Sequence, residues 1–373
     1  MAKTVQVLHV LGSMDPGGVE TWLLHVLRNI DRDQVQFHIC TLGPAPGLYA
    51  NEVEKLGGRI LRCPVSSNPW KFSRQFRRIL REGHYDVVHS HVHLFSGAIL
   101  RWSKAEGVRI RIAHSHTSRD DRPSSPARRC YRRAMKSWIS RYATHGLAAS
   151  RLAAVQLFGN DWERDRRFKV LHCGIDLSQF EEPVDRAEVR REFGIPSHAI
   201  VVGHVGRFVP AKNHRFFLDV AAEIAGMRPD VHFLLVGDGP LRDEIESRAT
   251  GMGFNGNMHF AGARTDIPRL MLGAMDVFLF PSLWEGLPLA LVEAQAAGLQ
   301  CLVSDAVATE ATILPRQSYR LSLSERVNEW AARTIELAGR ERGAVDSALR
   351  ALAQTDFCGL GSGLSDFYLE AVR

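Results

Sequence analysis

Two glutamates eight residues apart, Glu285 and Glu293, follow a buried strand late in the chain. Glu285 comes after the apolar run Phe278-Leu-Phe-Pro-Ser-Leu-Trp, and Glu293 lies inside the apolar helix predicted next. A carboxylate in an apolar helix must face a polar partner or solvent, and ribose hydroxyls are suitable donors to it. The helix that starts after Gly286 offers free N–H groups. Glu293 alone is more typical of an exposed helix face, but together with Glu285 it favours a ligand site.

Two cations follow an earlier strand, in the run Val205-Gly-Arg-Phe-Val-Pro-Ala-Lys-Asn213. Arg207 and Lys212, placed beyond the carboxyl end of a strand, are typical of a diphosphate site. If the motif stood alone, two solvated surface cations would be the commoner explanation. The run Gly237-Asp-Gly-Pro240 resembles a dinucleotide fingerprint but lacks its third glycine, so hydride chemistry is not supported.

Gly17 and Gly18 lie between the first predicted strand and the first predicted helix. Glycines at this place let the backbone approach a ligand, and the helix N-terminus favours a phosphate. No Walker A or G-x-G-x-x-G spacing is present. A plain tight turn explains the motif equally well.

Five histidines alternate along two predicted strands: His89, His91, His93, His114 and His116. Alternate residues share one face of a strand, and an H-x-H pair at a strand end can bind zinc in a hydrolase. No carboxylate or cysteine spacing completes a known metal pattern, and His93 is predicted to lie beyond its strand. We therefore favour polar residues that line a cleft and keep a metal-dependent hydrolase, on the His89/His91 and His114/His116 pairs, as the alternative.

The elements that must position these residues are alternating strands and amphipathic helices along all 373 residues. Short, nearly continuous apolar strands between helices predict parallel sheets covered on both faces. The length predicts two domains, and the polar, turn-rich stretch 174–196 predicts the boundary between them. The fold class is thus α/β with two Rossmann-like domains, and ligands are expected in a cleft beyond the carboxyl ends of the strands.

The composition excludes a disordered chain, a disulfide scaffold and a membrane-spanning protein. Apolar residues make up 45% and charged residues 24%, and no apolar run approaches the ~20 residues of a membrane span. The six cysteines form no C-x-x-C pair and are typical of reduced thiols in the cytoplasm.

The charge is uneven along the chain. Residues 1–180 hold 28 Lys and Arg against 15 Asp and Glu, whereas residues 181–373 hold 19 against 26. Two basic amphipathic stretches, 70–82 and 126–142, predict either helices packed on their own sheet or a peripheral contact with an anionic membrane. No nucleic-acid-binding module is recognisable.

In its ordered motifs the chain resembles the retaining glycosyltransferases of family 4, which have the GT-B fold. The matching residues are Gly17-Gly-Val-Glu20, the His116 region, Gly174-Ile-Asp176, Gly206-Arg207 with Lys212-Asn213, Gly237-Asp-Gly-Pro240, and the Glu285/Glu293 pair, which fits the family's E-x7-E pattern. The stretch Ala113-His-Ser-His116 is similar to capsular and exopolysaccharide enzymes. Cys173 stands where the family usually has Asn, which puts one hinge-side hydrogen bond in doubt.

The resemblance implies a role for each site residue. Arg207 and Lys212 would bind the donor diphosphate and Glu293 the ribose, while Glu285, helped by the Gly286 and Leu287 backbone, would contact the sugar. The Gly17-Gly18 amides would close over the diphosphate. The backbone at Arg264 would lie near the base, and His116 near the anomeric carbon.

The resemblance also implies the reaction and its organisation. The chain would be a metal-independent retaining hexosyltransferase in surface polysaccharide biosynthesis that needs no cofactor. It would use UDP in preference to GDP as the sugar carrier and a glycan or lipid-diphosphate-linked acceptor. Residues 1–175 would bind the acceptor, residues 176–355 the nucleotide sugar, and a terminal helix within 356–373 would cross back to the first domain. A non-catalytic nucleotide-sugar-binding protein is a further alternative.

Overall fold

A computed structural model describes residues 4–120, 123–254, 256–355 and 362–373. Its contacts divide the chain into two compact units, Met1–Gly174 with Gly359–Arg373, and Ile175–Cys358. We call them the first unit and the second unit. The predicted start of the terminal segment, 356–361, lies outside the described residues.

Each unit contains one wholly parallel sheet. The strands of the first unit are β1 (Val5–Leu11), β2 (Val35–Thr41), β3 (Arg59–Arg62), β4 (Val87–Ser90), β5 (Ile110–Ser115), β6 (His145–Ala148) and β7 (Phe168–Val170). Those of the second unit are β8 (Ile200–Val205), β9 (Val231–Val236), β10 (Met258–Gly262), β11 (Val277–Phe280), β12 (Gln300–Ser304) and β13 (Ser318–Leu321).

Helices connect the strands in both units. They are α1 (Gly18–Asn29), α2 (Ala50–Lys55), α3 (Pro69–Gly83), α4 (Ser96–Ala105), α5 (Pro126–Tyr142), α6 (Arg151–Phe158), α7 (Arg186–Arg191), α8 (His214–Met227), α9 (Arg242–Met252), α10 (Ile267–Gly273), α11 (Leu289–Ala296), α12 (Val327–Ala338), α13 (Val345–Ala353) and α14 (Ser362–Val372). Helix α14 belongs to the first unit. Across the described ranges, no helix combines the length and the apolar composition that a bilayer span requires.

The strand orders are β3-β2-β1-β4-β5-β6-β7 and β10-β9-β8-β11-β12-β13. Both contain the doubly wound order of a Rossmann fold, in which the chain reverses direction across the sheet after the third strand. The reversal lies between β1 and β4 in one sheet and between β8 and β11 in the other. The predicted α/β class with two Rossmann-like parallel sheets is confirmed.

The sequence explains where two basic helices begin. Asn68 caps α3 by accepting hydrogen bonds from the N–H groups of Trp70 and Lys71, at 3.0 and 3.2 Å. Ser125 caps α5 through the N–H of Arg128, at 3.1 Å. In each helix a proline follows the cap at the first helical position, where its missing N–H costs nothing.

A buried ion pair fixes α7 to the sheet of the second unit. The Arg190 guanidinium, only 3% exposed, donates to Asp276 at 2.7 Å and to the carbonyls of Ala199 and Ala274. Asp276 also accepts the N–H of Val201 in β8, at 2.8 Å. Both charges are thereby paired and hydrogen-bonded, as burial requires.

Candidate active site

An ion pair joins the loops that follow β8 and β11. Nζ of Lys212 lies 2.7 Å from Oε1 of Glu285, and the two side chains are only 16% and 11% exposed. The ammonium also lies 4.7 Å from the centre of the Phe280 ring, at the end of β11. The two predicted site residues therefore meet at the point where the strand order of the second unit reverses, which is where doubly wound sheets bind ligands.

Glycines bring the neighbouring loops close together. Gly237 has a φ of 142°, and a Cβ on it would lie 2.1 Å from the carbonyl oxygen of Gly206. Its N–H donates to the carbonyl of Gly262 at 2.8 Å. Only glycine fits this conformation and this approach, so the loops after β8, β9 and β10 form one backbone surface.

The two predicted arginines have different surroundings. Arg207 is exposed, and among the described residues its guanidinium has no carboxylate partner. Arg264 is held by Asp266 through two hydrogen bonds of 2.7 Å, and its guanidinium also lies 3.5 Å from Glu192. Arg207 is thus available for an anion, whereas the side chain of Arg264 is already neutralised and only its backbone fits the predicted role.

Glu293 is buried without a partner. The residue is 6% exposed, and no hydrogen bond to its carboxylate is found within the described ranges. Burial raises the pKa of Glu293 to about 7. An unpaired carboxylate in this setting is a strong acceptor for hydroxyl groups.

The segment between Glu285 and the start of α11 at Leu289 supplies free donors. After Glu285, the first backbone N–H with a backbone acceptor is that of Leu291, which donates to the Pro288 carbonyl at 3.0 Å. The amides of Gly286 and Leu287 have no backbone acceptor among the described residues. Both residues are buried, so these donors suit a ligand group better than bulk water.

The loop between β1 and α1, which contains Gly17 and Gly18, is held by contacts with Gly47 and Tyr49. Gly47, with a φ of 97°, packs so closely that a Cβ would lie 2.2 Å from the Met14 carbonyl carbon. Met14 and Tyr49 also hydrogen-bond across this contact, with the Tyr49 N–H donating to the Met14 carbonyl at 2.9 Å. Gly17 precedes α1 and Gly18 begins it, and a Cβ on Gly18 would meet nothing within 4 Å. The predicted phosphate-type turn is therefore open at Gly18.

The alternating histidines of the first unit form a hydrogen-bonded cluster. His9 in β1, which belongs to no sequence motif, joins them: its Nδ1 lies 3.0 Å from Nε2 of His91. Nδ1 of His91 lies 2.9 Å from Nε2 of His116. Burial lowers the pKa of His9 and of His116 to about 3, so both rings are neutral. His93 lies beyond the end of β4, in a short 3-10 turn, as expected.

Two further residues contact this cluster: no sequence motif points to Tyr368, whereas Cys173 already stands out as the departure from the family pattern. The hydroxyl of Tyr368 in α14 lies 2.6 Å from Nδ1 of His89. Sγ of Cys173 lies 3.8 Å from Nδ1 of His116, and burial raises the pKa of this thiol. The departure from the family pattern at Cys173 therefore falls directly beside the predicted catalytic histidine.

Two groups of three imidazoles have the spacing of metal ligands. His9, His89 and His91 form one, and His91, His114 and His116 the other, with the nitrogen atoms of each group within 4.8 Å of one another. The rings of His114 and His116 are 3.9 Å apart and tilted by 34°. Nitrogen atoms of both groups also bond to one another, His9 to His91 at 3.0 Å and His91 to His116 at 2.9 Å, so they already take part in a hydrogen-bonded network.

The basic helices pack their apolar faces on their own unit. Phe72, Phe76 and Leu80 of α3 are buried, as are Met135 and Ile139 of α5. Trp70 is the exception: 85% of it is exposed at the start of α3. Packing on the sheet thus accounts for most of the aromatic residues in both helices, but not for Trp70.

Comparison with known proteins agrees with this arrangement. Residues 17–174 match the family model "Glycosyl transferase 4-like domain", and residues 199–340 match "Glycosyl transferases group 1". The chain is 35% identical to EpsF of Bacillus subtilis (strain 168), named as a glycosyltransferase, over 94% of this chain and 92% of that protein. It therefore belongs to the family 4-like glycosyltransferases with the GT-B fold.

A second relative and a solved structure are also similar. The UDP-Gal:alpha-D-GlcNAc-diphosphoundecaprenol alpha-1,3-galactosyltransferase of Escherichia coli is 31% identical, over 61% of this chain and 60% of that enzyme. The crystal structure of HepE from Anabaena, in complex with UDP and glucose, superposes with a TM-score of 0.77 at 21% identity. The match covers 98% of this chain and 100% of HepE.

Proposed function

We propose that this glycosyltransferase moves a sugar, with retention of its anomeric configuration, from a UDP-sugar to a hydroxyl of a glycan or lipid-diphosphate-linked acceptor in surface polysaccharide assembly. The observation that carries the proposal is the 2.7 Å pair of Lys212 and Glu285 at the strand-order reversal. This pair places one charge suited to a diphosphate beside one suited to sugar hydroxyls.

In this proposal, binding of the donor breaks the ion pair and gives each of its two residues a new partner. Lys212 turns to the diphosphate together with Arg207, and Glu285 accepts hydrogen bonds from hydroxyls of the donor sugar. The diphosphate gains negative charge as the glycosidic bond breaks, and cations fixed in advance lower the barrier to that step.

The remaining donor contacts follow from burial and free amides. Glu293 accepts hydrogen bonds from the ribose hydroxyls, and these are the partners that its carboxylate lacks. The amides of Gly286 and Leu287 bind the donor sugar or the diphosphate, and the backbone at Arg264 lies near the base. Gly17 and Gly18 contribute amides from the first unit, which we propose to be the acceptor-binding domain.

For the chemical step we propose a front-face substitution that needs no metal ion and no cofactor. The bond from the anomeric carbon to the phosphate oxygen breaks, and the acceptor oxygen bonds to the same face of that carbon. The departing phosphate oxygen takes the hydroxyl proton, so the charges balance. His116 lies near the anomeric carbon and accepts a hydrogen bond there.

The similar proteins support the choice of donor and acceptor. The Escherichia coli relative is named for a UDP-galactose donor, a lipid-diphosphate-linked sugar and an alpha linkage, and HepE was crystallised with UDP and glucose. We therefore place UDP before GDP as the nucleotide.

The test is a screen of UDP- and GDP-sugars with an undecaprenyl-diphosphate-linked monosaccharide acceptor, in which the nucleoside diphosphate released and the glycan formed are both measured. Proton NMR of the product then gives its anomeric configuration. Transfer with retention from a UDP-sugar is expected. Inversion, or transfer from GDP-sugars alone, would contradict the corresponding part of the proposal.

Two alternatives make different predictions in the same assay. A metal-dependent hydrolase on the histidine cluster would contain stoichiometric zinc and lose activity with a chelator. A binding protein would hold UDP-sugars without turnover. Transfer that persists in EDTA, by protein free of metal on elemental analysis, would exclude both.

We further propose that the enzyme works in the cytoplasm on an anionic membrane surface, through residues 70–82 and 126–142. The cysteines of the described ranges are free thiols, which suits a reducing compartment. Exposed Trp70 at the start of basic α3 suits the membrane–water interface.

A further inference from the structure

The hydroxyl of Tyr368 joins two branches of the histidine cluster. It lies 2.6 Å from Nδ1 of His89 and 3.4 Å from Nε2 of His9. The His9 branch continues through His91 to His116, with nitrogen–nitrogen distances of 3.0 and 2.9 Å. The other branch runs from Nε2 of His89 to Nδ1 of His114, at 3.0 Å. A helix from the end of the chain is thus connected by hydrogen bonds to the histidine predicted to act in catalysis.

Each neutral imidazole has one N–H donor and one bare acceptor nitrogen. In a chain of such rings the direction of the first hydrogen bond fixes all the others. Tyr368 has a single hydroxyl proton, so it can donate to only one of the two branches. Its partner then determines which nitrogen carries the proton in every ring.

The distances indicate which branch receives that proton. A separation of 2.6 Å suits an O–H donor, whereas an N–H donor usually lies at about 2.9–3.0 Å. Tyr368 therefore donates to His89. Its oxygen lone pairs then face Nε2 of His9, and that nitrogen must carry a proton because two lone pairs would repel each other.

The rest of the His9 branch follows. Nε2–H of His91 donates to Nδ1 of His9, and Nε2–H of His116 donates to Nδ1 of His91. Nδ1 of His116 is left as the bare acceptor, and its neighbour is the Cys173 thiol at 3.8 Å. That contact is long and the thiol is a weak donor, so Nδ1 keeps most of its capacity to accept a hydrogen bond.

We propose that Tyr368 is a positioning residue for His116: through His9 and His91 it holds the ring in the Nε2–H form and presents Nδ1 to a substrate hydroxyl. The inference rests on the proposed function for the role of His116, but the tautomer itself does not depend on activity.

The test replaces Tyr368 with Phe, which keeps the buried ring and removes only the hydroxyl. Tyr85→Phe is the matched control, because the Tyr85 hydroxyl also binds a histidine of the first unit, Nδ1 of His38 at 2.8 Å, but has no link to His116. The tautomer is read from the nitrogen-15 shifts of the His116 ring, assigned with a His116→Gln variant. Wild type and Tyr85→Phe should show the Nε2–H form, and Tyr368→Phe a mixture of both forms.

Kinetics give a second, independent result. Tyr368→Phe should lower kcat about five- to tenfold at unchanged donor KM, and it should have no further effect in a His116→Ala background. If Tyr368→Phe does not fold, His9→Phe interrupts the same branch without altering α14. An unchanged His116 tautomer, or a full additional loss in the His116→Ala background, would overturn the inference. If the His116 tautomer shifts in Tyr368→Phe but His116→Ala keeps full activity, the proposed role of His116 is overturned and the inference about its tautomer stands.

Discussion

Lys212 and Glu285, 73 positions apart in the chain, form an ion pair of 2.7 Å that is largely shielded from solvent. Each residue was expected to bind a different part of a nucleotide sugar. Their contact shows how two charges are kept inside the protein without a ligand: each neutralises the other. A ligand that offers an anion to Lys212 and hydroxyls to Glu285 can replace the pair without leaving either charge unpartnered.

Replacing Lys212 by Met should lower kcat about 10²- to 10³-fold, because a fixed cation no longer stabilises the departing diphosphate. Arg207→Ala should mainly raise the donor KM, since Arg207 is exposed. Steady-state kinetics with varied UDP-sugar separate the two effects. Arg228→Ala is the control. It removes an exposed arginine that precedes β9 and pairs with Asp230 at 2.7 Å, and it should change neither constant. A near-wild-type kcat for Lys212→Met together with an unchanged donor KM for Arg207→Ala would show that the diphosphate binds elsewhere.

Glu293 should make donor use dependent on pH. The pKa of its carboxyl group is raised to about 7 by burial, and the proposed ribose contact needs the ionised form. For a single group with this pKa, kcat/KM for the donor should fall about tenfold from pH 8 to pH 6. Glu293→Gln should have a lower kcat/KM that is flat over this range. A variant with the same pH profile as wild type would mean that another group titrates.

The same residue should affect stability with the opposite dependence on pH. Below pH 4.5 the carboxyl group is protonated in both the folded and the unfolded chain. As pH rises from 4.5 to about 7, the unfolded chain releases its proton first, so the folded state loses stability. The loss is on the order of 3 kcal/mol. The free energy of unfolding of wild type and Glu293→Gln is measured in urea at pH 6 and pH 8. Relative to wild type, the variant should be more stable at pH 8 than at pH 6. An equal difference between the two proteins at both pH values would contradict this.

Asp276 should matter for folding rather than for chemistry. Asp276→Ala leaves the buried guanidinium of Arg190 without its anion and the N–H of Val201 without an acceptor. The expected loss is about 3–5 kcal/mol in the free energy of unfolding. Asp230→Ala breaks an exposed pair and should cost less than about 1 kcal/mol. Denaturant titrations give the free energy of unfolding of both variants. Similar losses would show that the buried pair stabilises the fold no more than the exposed one.

Binding to membranes should depend on Trp70 and the cations beside it. In α3, Arg74 follows Trp70 by one turn, and both are exposed. Trp70→Ala with Arg74→Glu should abolish cosedimentation with vesicles containing anionic phosphatidylglycerol at low salt. Leu152→Ala, an exposed apolar residue on α6, is the control. Equal binding of wild type and the double variant, or no binding by wild type, would remove α3 from the proposal.

Local patterns predicted most of the sheets. Strands β1, β8 and β11 are largely apolar runs that end at Gly12, Gly206 and Pro281, so their position follows from the sequence alone. Strand β13 has no such pattern: its sequence Ser-Tyr-Arg-Leu lies at the edge of the sheet, where only one neighbour, β12, restricts its composition.

The site was predicted as a set of residue types but not as a set of contacts. Glu285 and Lys212 were selected from separate motifs, and nothing in either motif shows that they touch. His9 and Tyr368 were not selected, since a histidine in a strand and a tyrosine near the chain end have no distinctive spacing. Their contacts join positions 359 residues apart, so they depend on how the strands and the last helix pack together.

The most direct measurement is a crystal structure of the protein soaked with a non-hydrolysable UDP-sugar. The proposed function predicts the diphosphate on Arg207 and Lys212, the ribose hydroxyls on Glu293, and the Lys212–Glu285 pair opened by the ligand. A nucleotide sugar bound away from the loops after β8 and β11, with that ion pair intact, would contradict it.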